Sequence, residues 1–359
     1  MKAAVLREAF QPMTIEDVQI DSPRAHEVVV RVVAAGVCHS DVHVREGTSD
    51  CVFPVVLGHE SAGVVEEVGS EVVYVKPGDH VITCLSVFCG HCRFCTQGRP
   101  NLCDREGLNR DPDDRPRLSF NREPLHQFLN LSSYAEKLLI HEHALVKVRK
   151  DMPMDKAALI GCGVTTGMGA VLNTARVPAG STVAVIGCGG IGLSAIQGAA
   201  IAGANRVIAV DRISSKLQLA KTMGATDLVN SRDGDPVEQV IELTGGGVQF
   251  SFEAVGTKVT AEQAYNMLEK GGTATLIGLV PVGEKLELDA RSFIQERRIQ
   301  GSNMGSNRFR VDMPNYVEMY LAGRLKLDEM ITREIRLEEI NEAFDALLEG
   351  EVARQVIRF

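Results

Sequence analysis

From Ser181 onward the chain alternates short apolar strands with helical stretches, and this alternation constrains the fold more than any other feature. Ser181–Ile186, Arg206–Asp211, Asp227–Asn230, Gln249–Glu253 and Thr273–Gly278 read as strands. Between them Ile191–Ala202, Ser214–Met223 and Pro236–Leu243 read as helices, with a further helix before Thr273. Strands apolar on both faces and separated by helices predict a parallel, doubly wound α/β sheet. Between the first strand and the first helix stands Gly187-Cys-Gly-Gly-Ile-Gly192, which fits G-x-G-x-x-G. Glycines there permit a tight turn and let a pyrophosphate rest on the helix N-terminus. Asp211 ends the next strand, about 20 residues on, where a carboxylate can bind a ribose 2′-hydroxyl and repel a 2′-phosphate. NAD is therefore expected, with Arg212 keeping NADP as the alternative.

The first half reads differently. Val28–Val33, Ser61–Val68 and His80–Cys84 are strand-like, the last entered through the turn Lys76–Asp79. No long helical period separates them, so an irregular, barrel-like β domain is expected. Residues 104–130, rich in Arg, Asp, Pro and Asn, read as one long loop. The boundary between the halves is expected near Gly161–Gly180.

At 359 residues the chain has length for about two domains. A net charge of −9 argues against nucleic acid as the main partner. No apolar run approaches ~18 residues, so no membrane span is expected. Charges interrupt the N-terminal stretch Met1–Val18, which therefore does not read as a secretory signal, and a cytoplasmic location is expected.

Nine cysteines without an export signal favour metal ligation or catalysis over a disulfide framework. Cys89-x2-Cys92-x2-Cys95-x7-Cys103 is the most specific signal. Four thiolates on one lobe can close a tetrahedron around Zn²⁺, leaving no open position, as in a structural site. An iron–sulfur cluster takes the same four ligands, and the compact spacing favours mononuclear zinc. A second, dispersed group comprises Cys38-His39-Ser40-Asp41-Val42-His43, Gly58-His59-Glu60 and Gly161-Cys162-Gly163. A catalytic zinc needs three protein ligands and one open position, and this group can supply them, with Glu60 and Asp41 behind.

Taken together, these motifs resemble those of the zinc-dependent medium-chain alcohol dehydrogenases, and the resemblance runs essentially end to end. It implies a GroES-like, β-rich catalytic domain over 1–163 and 304–359, with a Rossmann NAD-binding domain over 164–303. It implies Cys38, His59 and Cys162 as ligands of a catalytic zinc; two cysteines and one histidine are the set known for alcohol dehydrogenases, so the assignment comes with the resemblance. Cys89, Cys92, Cys95 and Cys103 would hold a second, structural zinc, giving two Zn²⁺ and one NAD per chain. Ser40 would accept the alcohol proton and pass it through the cofactor ribose to His43, with Glu60 beside the metal. Hydride would leave for a nicotinamide packed on Ile191 and contacted by Thr166. Gly187, Gly189, Gly190, Gly192, Asp211, Arg212, Lys216, Ile277 and Leu279 would complete the cofactor site. His39 and Arg354 match phosphate-binding positions, though each could also be an ordinary solvated charge.

Leu85, Leu102, Leu108, Phe128, Leu129 and Leu279 would line an apolar substrate pocket, suited to a primary aromatic, allylic or medium-chain alcohol and its aldehyde. The alternative is a dehydrogenase of S-hydroxymethyl thiol adducts. Members of that subclass tend to carry Tyr where this chain has His43, and the glutathione-using ones place Arg where this chain has Gly107. A zinc-free quinone reductase and a non-catalytic NAD-binding protein are the other readings of the fold. The length kept at 104–130 favours a homodimer, joined through the strand near Arg298–Asn303.

Overall fold

Val28–Val33 lengthens into an 11-residue strand, Glu27–Val37, in which only Arg31 is exposed. β-Branched residues suit a pleated surface covered on both faces, and each fully buried Val contributes about 2 kcal/mol. The strand organises a seven-stranded sheet, in the order Leu145–Val148, His80–Thr83, Glu60–Val68, Glu27–Val37, Arg354–Arg358 and Ile331–Ile335, with Lys137–His141 also paired to Glu27–Val37. A second sheet runs Thr14–Asp17, Lys2–Leu6, Val55–Val56, Glu123–Gln127, Leu118–Phe120 and Gln19–Ile20. Both belong to one compact unit, residues 1–162 with 308–359. The computed structural model describes residues 1–111, 113–350 and 352–359.

The expected single loop over 104–130 is corrected here: Leu118–Phe120 and Glu123–Gln127 are paired strands. Their polar sequence hides two anchors, Leu118 and Leu125, buried with Ala3, Val5, Val18, Val56 and Ala135 in a small separate core. Pro112, inside the same stretch, lies outside the described residues.

The second unit comprises residues 163–307. Its sheet is fully parallel, in the order Asp227–Asn230, Arg206–Asp211, Thr182–Ile186, Val248–Glu253, Leu268–Leu276 and Arg298–Gly301. Counted along the chain this is 3-2-1-4-5-6, the doubly wound order whose crevice lies where strand order reverses. Local chemistry sets the connecting helices. The Asp235 side chain caps Pro236–Thr244 by accepting from the Val237 N–H, and Thr257 with Thr260 forms a capping box on Lys258–Asn266.

Two expectations change at the border of the units. Gly163 and residues 304–307 go with the second unit rather than the first. Short contacts explain the latter: Thr174 Oγ1 lies 2.8 Å from Ser306 Oγ, and Asn173 donates to the Gly305 carbonyl at 3.3 Å. The other change concerns apolar length. Met154–Ala175 is a 22-residue helical run that is apolar enough to cross a membrane by length and composition, yet 83% of its most apolar window is buried inside the fold. It is a core helix.

Candidate metal centres and dinucleotide turn

In the first unit, three distant stretches of chain converge. Cys38 caps the helix His39–Arg45, His59 precedes the strand Glu60–Val68, and Cys162 lies on a π-helical turn, Ile160–Val164. Ligand atoms of Cys38, His59, Glu60 and Cys162 all lie within 4.8 Å of one another, and all four residues are buried. Backbone geometry makes this possible. Gly58 holds φ +91°, where a Cβ would come within 2.6 Å of the Tyr134 ring, and a Cβ on Gly161 would reach Thr83 O at 2.9 Å.

The electrostatics fit a metal cation. A hydrogen bond from Cys162 and the neighbouring His59 hold the Cys38 thiol well below its ordinary range, against the opposing effect of burial. Burial works against charging His59, but Asp41 and Cys38 outweigh it and push the imidazole up to about 10. His59 Nε2 is buried without a hydrogen-bond partner, whereas Nδ1 faces the Asp41 carboxylate, 3.2 Å from Oδ1 and 3.1 Å from Oδ2. An imidazole oriented by a carboxylate, with its other nitrogen aimed at two sulfurs, is the donor set zinc takes.

Around this group Ser40 Oγ lies 3.9 Å from Cys38 Sγ, and His43 is half-buried one helical turn further on. His39 is exposed. Arg354 is no solvated surface charge: it is buried and ion-paired with Glu60. That pairing brings the strand Arg354–Arg358 to the metal cluster.

The four-cysteine lobe is closed in the way its spacing implies. Cys89 Sγ and Cys95 Sγ are 4.0 Å apart, Cys92 Sγ and Cys103 Sγ 3.9 Å, and all four are free thiols rather than disulfides. Backbone N–H groups point at the sulfurs: Cys89 N to Cys103 Sγ at 3.1 Å, Cys92 N to Cys89 Sγ at 3.3 Å, and Arg105 N to Cys103 Sγ at 3.2 Å. Amide donors of this kind stabilise thiolates, as a zinc site built from four cysteines requires.

In the second unit, Gly187 ends the first strand at φ +93°, and a Cβ there would meet Val255 at 2.6 Å. Gly189 caps the helix Gly190–Ile201 with open space where a Cβ would stand, while a Cβ on Gly192 would fall onto the Gly187 carbonyl. Close backbone approach on one side and an open concavity on the other suit an anion at the helix N-terminus. Asp211 Oδ2 accepts the Cys188 N–H at 2.7 Å and Oδ1 accepts the Ile213 N–H at 2.9 Å. Ile191 and Lys216 are half-buried nearby in sequence, and Arg212 is exposed. Thr166 lies against Met304 Sδ at 3.2 Å; Ile277 is buried, its N–H bonded to Glu253 O, and Leu279 is 62% exposed.

Of the pocket residues in the first unit, Phe128 stands edge-on to the His59 ring at 5.8 Å. Leu108 is buried in the main core, with Leu85 and Phe128 packed partly against it. Leu102 and Leu129 are half-buried, Leu129 at φ +51°. Sequence reading missed two groups. Tyr134 donates its hydroxyl to Asp41 Oδ2 at 2.9 Å, and Glu253 Oε1 takes the N–H groups of Val255 and Gly256 at 2.8 and 2.7 Å. Neither lies in a recognisable motif; the end of a predicted parallel strand was the one available pointer to Glu253.

Known proteins share this geometry and its sequence. Residues 24–150 match the family model "Alcohol dehydrogenase GroES-like domain", and residues 190–321 match "Zinc-binding dehydrogenase". A curated relative from Oryza sativa subsp. japonica, "Alcohol dehydrogenase class-3", is 41% identical over 99% of this chain and 96% of its own length. "Probable S-(hydroxymethyl)glutathione dehydrogenase 1" of Schizosaccharomyces pombe is also 41% identical, with the same two coverages. Among solved structures, benzyl alcohol dehydrogenase from Acinetobacter calcoaceticus superimposes with a TM-score of 0.94 at 33% identity, covering 100% of this chain and 99% of its own.

Proposed function

From the premise that this chain belongs to the zinc-dependent medium-chain alcohol dehydrogenase family, we propose that it transfers hydride between a substrate CH–OH group and NAD. The observation that carries this reading is the convergence of Cys38, His59 and Cys162 around a buried, unpaired His59 Nε2. When bound, zinc supplies Lewis acidity that lowers the pKa of a substrate hydroxyl, and NAD supplies the hydride acceptor.

The chain's own residues do the rest. Cys38, His59 and Cys162 would hold the ion, and Asp41 fixes the imidazole through Nδ1. Glu60, balanced by Arg354, stands ready as a further oxygen donor. Ser40 Oγ, 3.9 Å from Cys38 Sγ, would accept the hydroxyl proton as it releases its own, and His43, a helical turn further on, would pass a proton to water. Gly187–Gly192 receives the pyrophosphate, and Asp211 retains free lone pairs for a ribose hydroxyl.

For the substrate, the name of the fission-yeast relative supports an S-(hydroxymethyl) thiol adduct ahead of a free alcohol. A free primary alcohol is the second reading. It is supported by the benzyl alcohol dehydrogenase neighbour, by the apolar side chains of Leu85, Leu108 and Phe128, and by His43 and Gly107 at the two subclass positions. The deciding experiment is kinetic. Purified protein of known zinc content is assayed for NAD reduction with S-(hydroxymethyl)glutathione, benzyl alcohol, allyl alcohol and octanol. The higher kcat/KM selects between the two readings, and two bound zinc ions with no turnover of any substrate would refute both.

A further inference from the structure

Behind the proposed metal ligands lies a fully buried phenol that no motif announces. Tyr134 is 0% exposed, and its hydroxyl donates to Asp41 Oδ2 at 2.9 Å, with Gly36 O further off at 3.4 Å. The other oxygen, Asp41 Oδ1, accepts the Gly58 N–H at 2.8 Å, and His59 Nδ1 lies against both oxygens, 3.2 Å from Oδ1 and 3.1 Å from Oδ2. Tyr134 is itself held from several sides. Its N–H donates to Leu57 O at 3.0 Å, its carbonyl accepts from Ala4 N at 2.9 Å, and its ring meets Phe344 edge-on at 6.1 Å.

We infer that Tyr134 is a positioning residue for the metal, acting through Asp41 on His59, an inference that rests on the zinc reading above. A carboxylate held at one oxygen alone can rotate about its terminal torsion, which is broad and soft. Here Gly58 N–H and the Tyr134 hydroxyl grip opposite oxygens, so the carboxylate plane, and with it the direction of His59 Nε2, is fixed. Removing the phenol hydroxyl withdraws one of the donors from a carboxylate with no exposed surface, where a missing partner is expensive. Groups that orient a metal-bound histidine typically change metal affinity 10–100-fold when lost; Tyr134 is one bond further back, so about tenfold is expected.

Tyr134→Phe keeps the ring and its packing and removes only the hydroxyl. Zinc affinity is measured by titrating the intact protein against a chromophoric chelator, with the four-cysteine lobe as internal reference, alongside thermal unfolding of the zinc-free chain. One site about tenfold weaker, the other unchanged and unaltered zinc-free unfolding support the inference. Unchanged affinity at both sites overturns it. So does joint weakening of both sites with a lower melting temperature or failure to fold, because that is the signature of a purely structural tyrosine. In a double-mutant cycle, Tyr134→Phe should add little to Asp41→Asn; a further tenfold loss in the double variant would overturn action through Asp41. A wild-type chain that binds zinc only at the cysteine lobe refutes the catalytic-metal reading itself, which is a different result from unchanged affinity in the variant.

Discussion

The carboxylate of Asp211 reaches across from the end of one parallel strand to accept the backbone N–H of Cys188, 2.7 Å away, inside the glycine turn that follows the neighbouring strand. One residue thus shapes the turn and presents charge beside it. The same oxygen retains a free lone pair, and the other accepts the Ile213 N–H.

Asp211→Gly should therefore act on cofactor choice and on the turn together. Loss of a charge-assisted contact predicts a fall of roughly 10–100-fold in kcat/KM for NAD, with a smaller loss for NADP. Steady-state kinetics with both cofactors test this. A wild-type chain that already uses NADP better than NAD would reverse the reading of Asp211 and Arg212.

Cys38→Ser and His59→Ala should each empty the catalytic metal centre and reduce kcat by about 100-fold or more, the scale of losing a principal electrostatic catalyst. NAD binding, followed by fluorescence titration, should be nearly unchanged, because the glycine turn belongs to the other unit. Wild-type kcat in a variant shown to lack that zinc would remove the metal from the mechanism.

Cys95→Ala opens a closed cluster and should cost stability rather than chemistry. Binding free energy at a structural site is folding free energy. A loss of ~3 kcal/mol would lower Tm by roughly 6–12 °C. A zinc-depleted variant with normal melting would contradict this.

Acid should weaken the fold in two steps. Burial, with His143 and Arg117 nearby, holds the His141 imidazole down to about 4, so between about 6.5 and 4 the unfolded chain takes up a proton the folded chain refuses. Stability falls as pH drops through that window. Burial opposes the charge of Glu27, but Arg110, the Arg24 N–H and Arg117 outweigh it and hold the carboxyl down to about 2. Its contribution is complete above about 4.5 and disappears as pH falls toward 2. Melting temperature against pH should flatten over the first window in His141→Gln and over the second in Glu27→Gln. Unchanged slopes would show that other groups control the acid limb.

Among the described residues the strand Arg298–Gly301 pairs only with Leu268–Leu276, and Val282, Phe293 and Ile294 nearby in sequence are exposed. Exposed edge strands template pairing with a second copy, and a two-fold axis makes that contact self-complementary. A homodimer is expected. Light scattering should return the mass of two chains, and the mass of four would refute it.

The parallel sheet and its glycine turn were legible because both leave local periodic signals, and the cysteine lobe because its ligands are contiguous. The dispersed cluster was different. Cys38, His59 and Cys162 share no local spacing, and only the fold brings them together. The strands Leu118–Phe120 and Glu123–Gln127 were hidden because two leucines carry their burial and one of their partners, Val55–Val56, has 2 residues. Tyr134 and the buried pairing of Arg354 were invisible for a related reason: a long-range hydrogen bond or ion pair leaves no periodicity in either segment.

The strand Arg354–Arg358 lies between Glu27–Val37 and Ile331–Ile335, so an interior rib of the first sheet comes from the far end of the chain. Its pairing with Glu27–Val37 spans one of the longest sequence separations in the molecule, and such contacts form late because loop closure precedes any reward. On that side Lys137–His141 covers the Glu27–Arg31 end of the long strand, and Arg354–Arg358 covers only the Ala34–Val37 end. Without that pairing Glu60 also lacks the guanidinium that balances it. Closure of the candidate metal cradle thereby depends on a long-range strand pairing as well as on its own ligands.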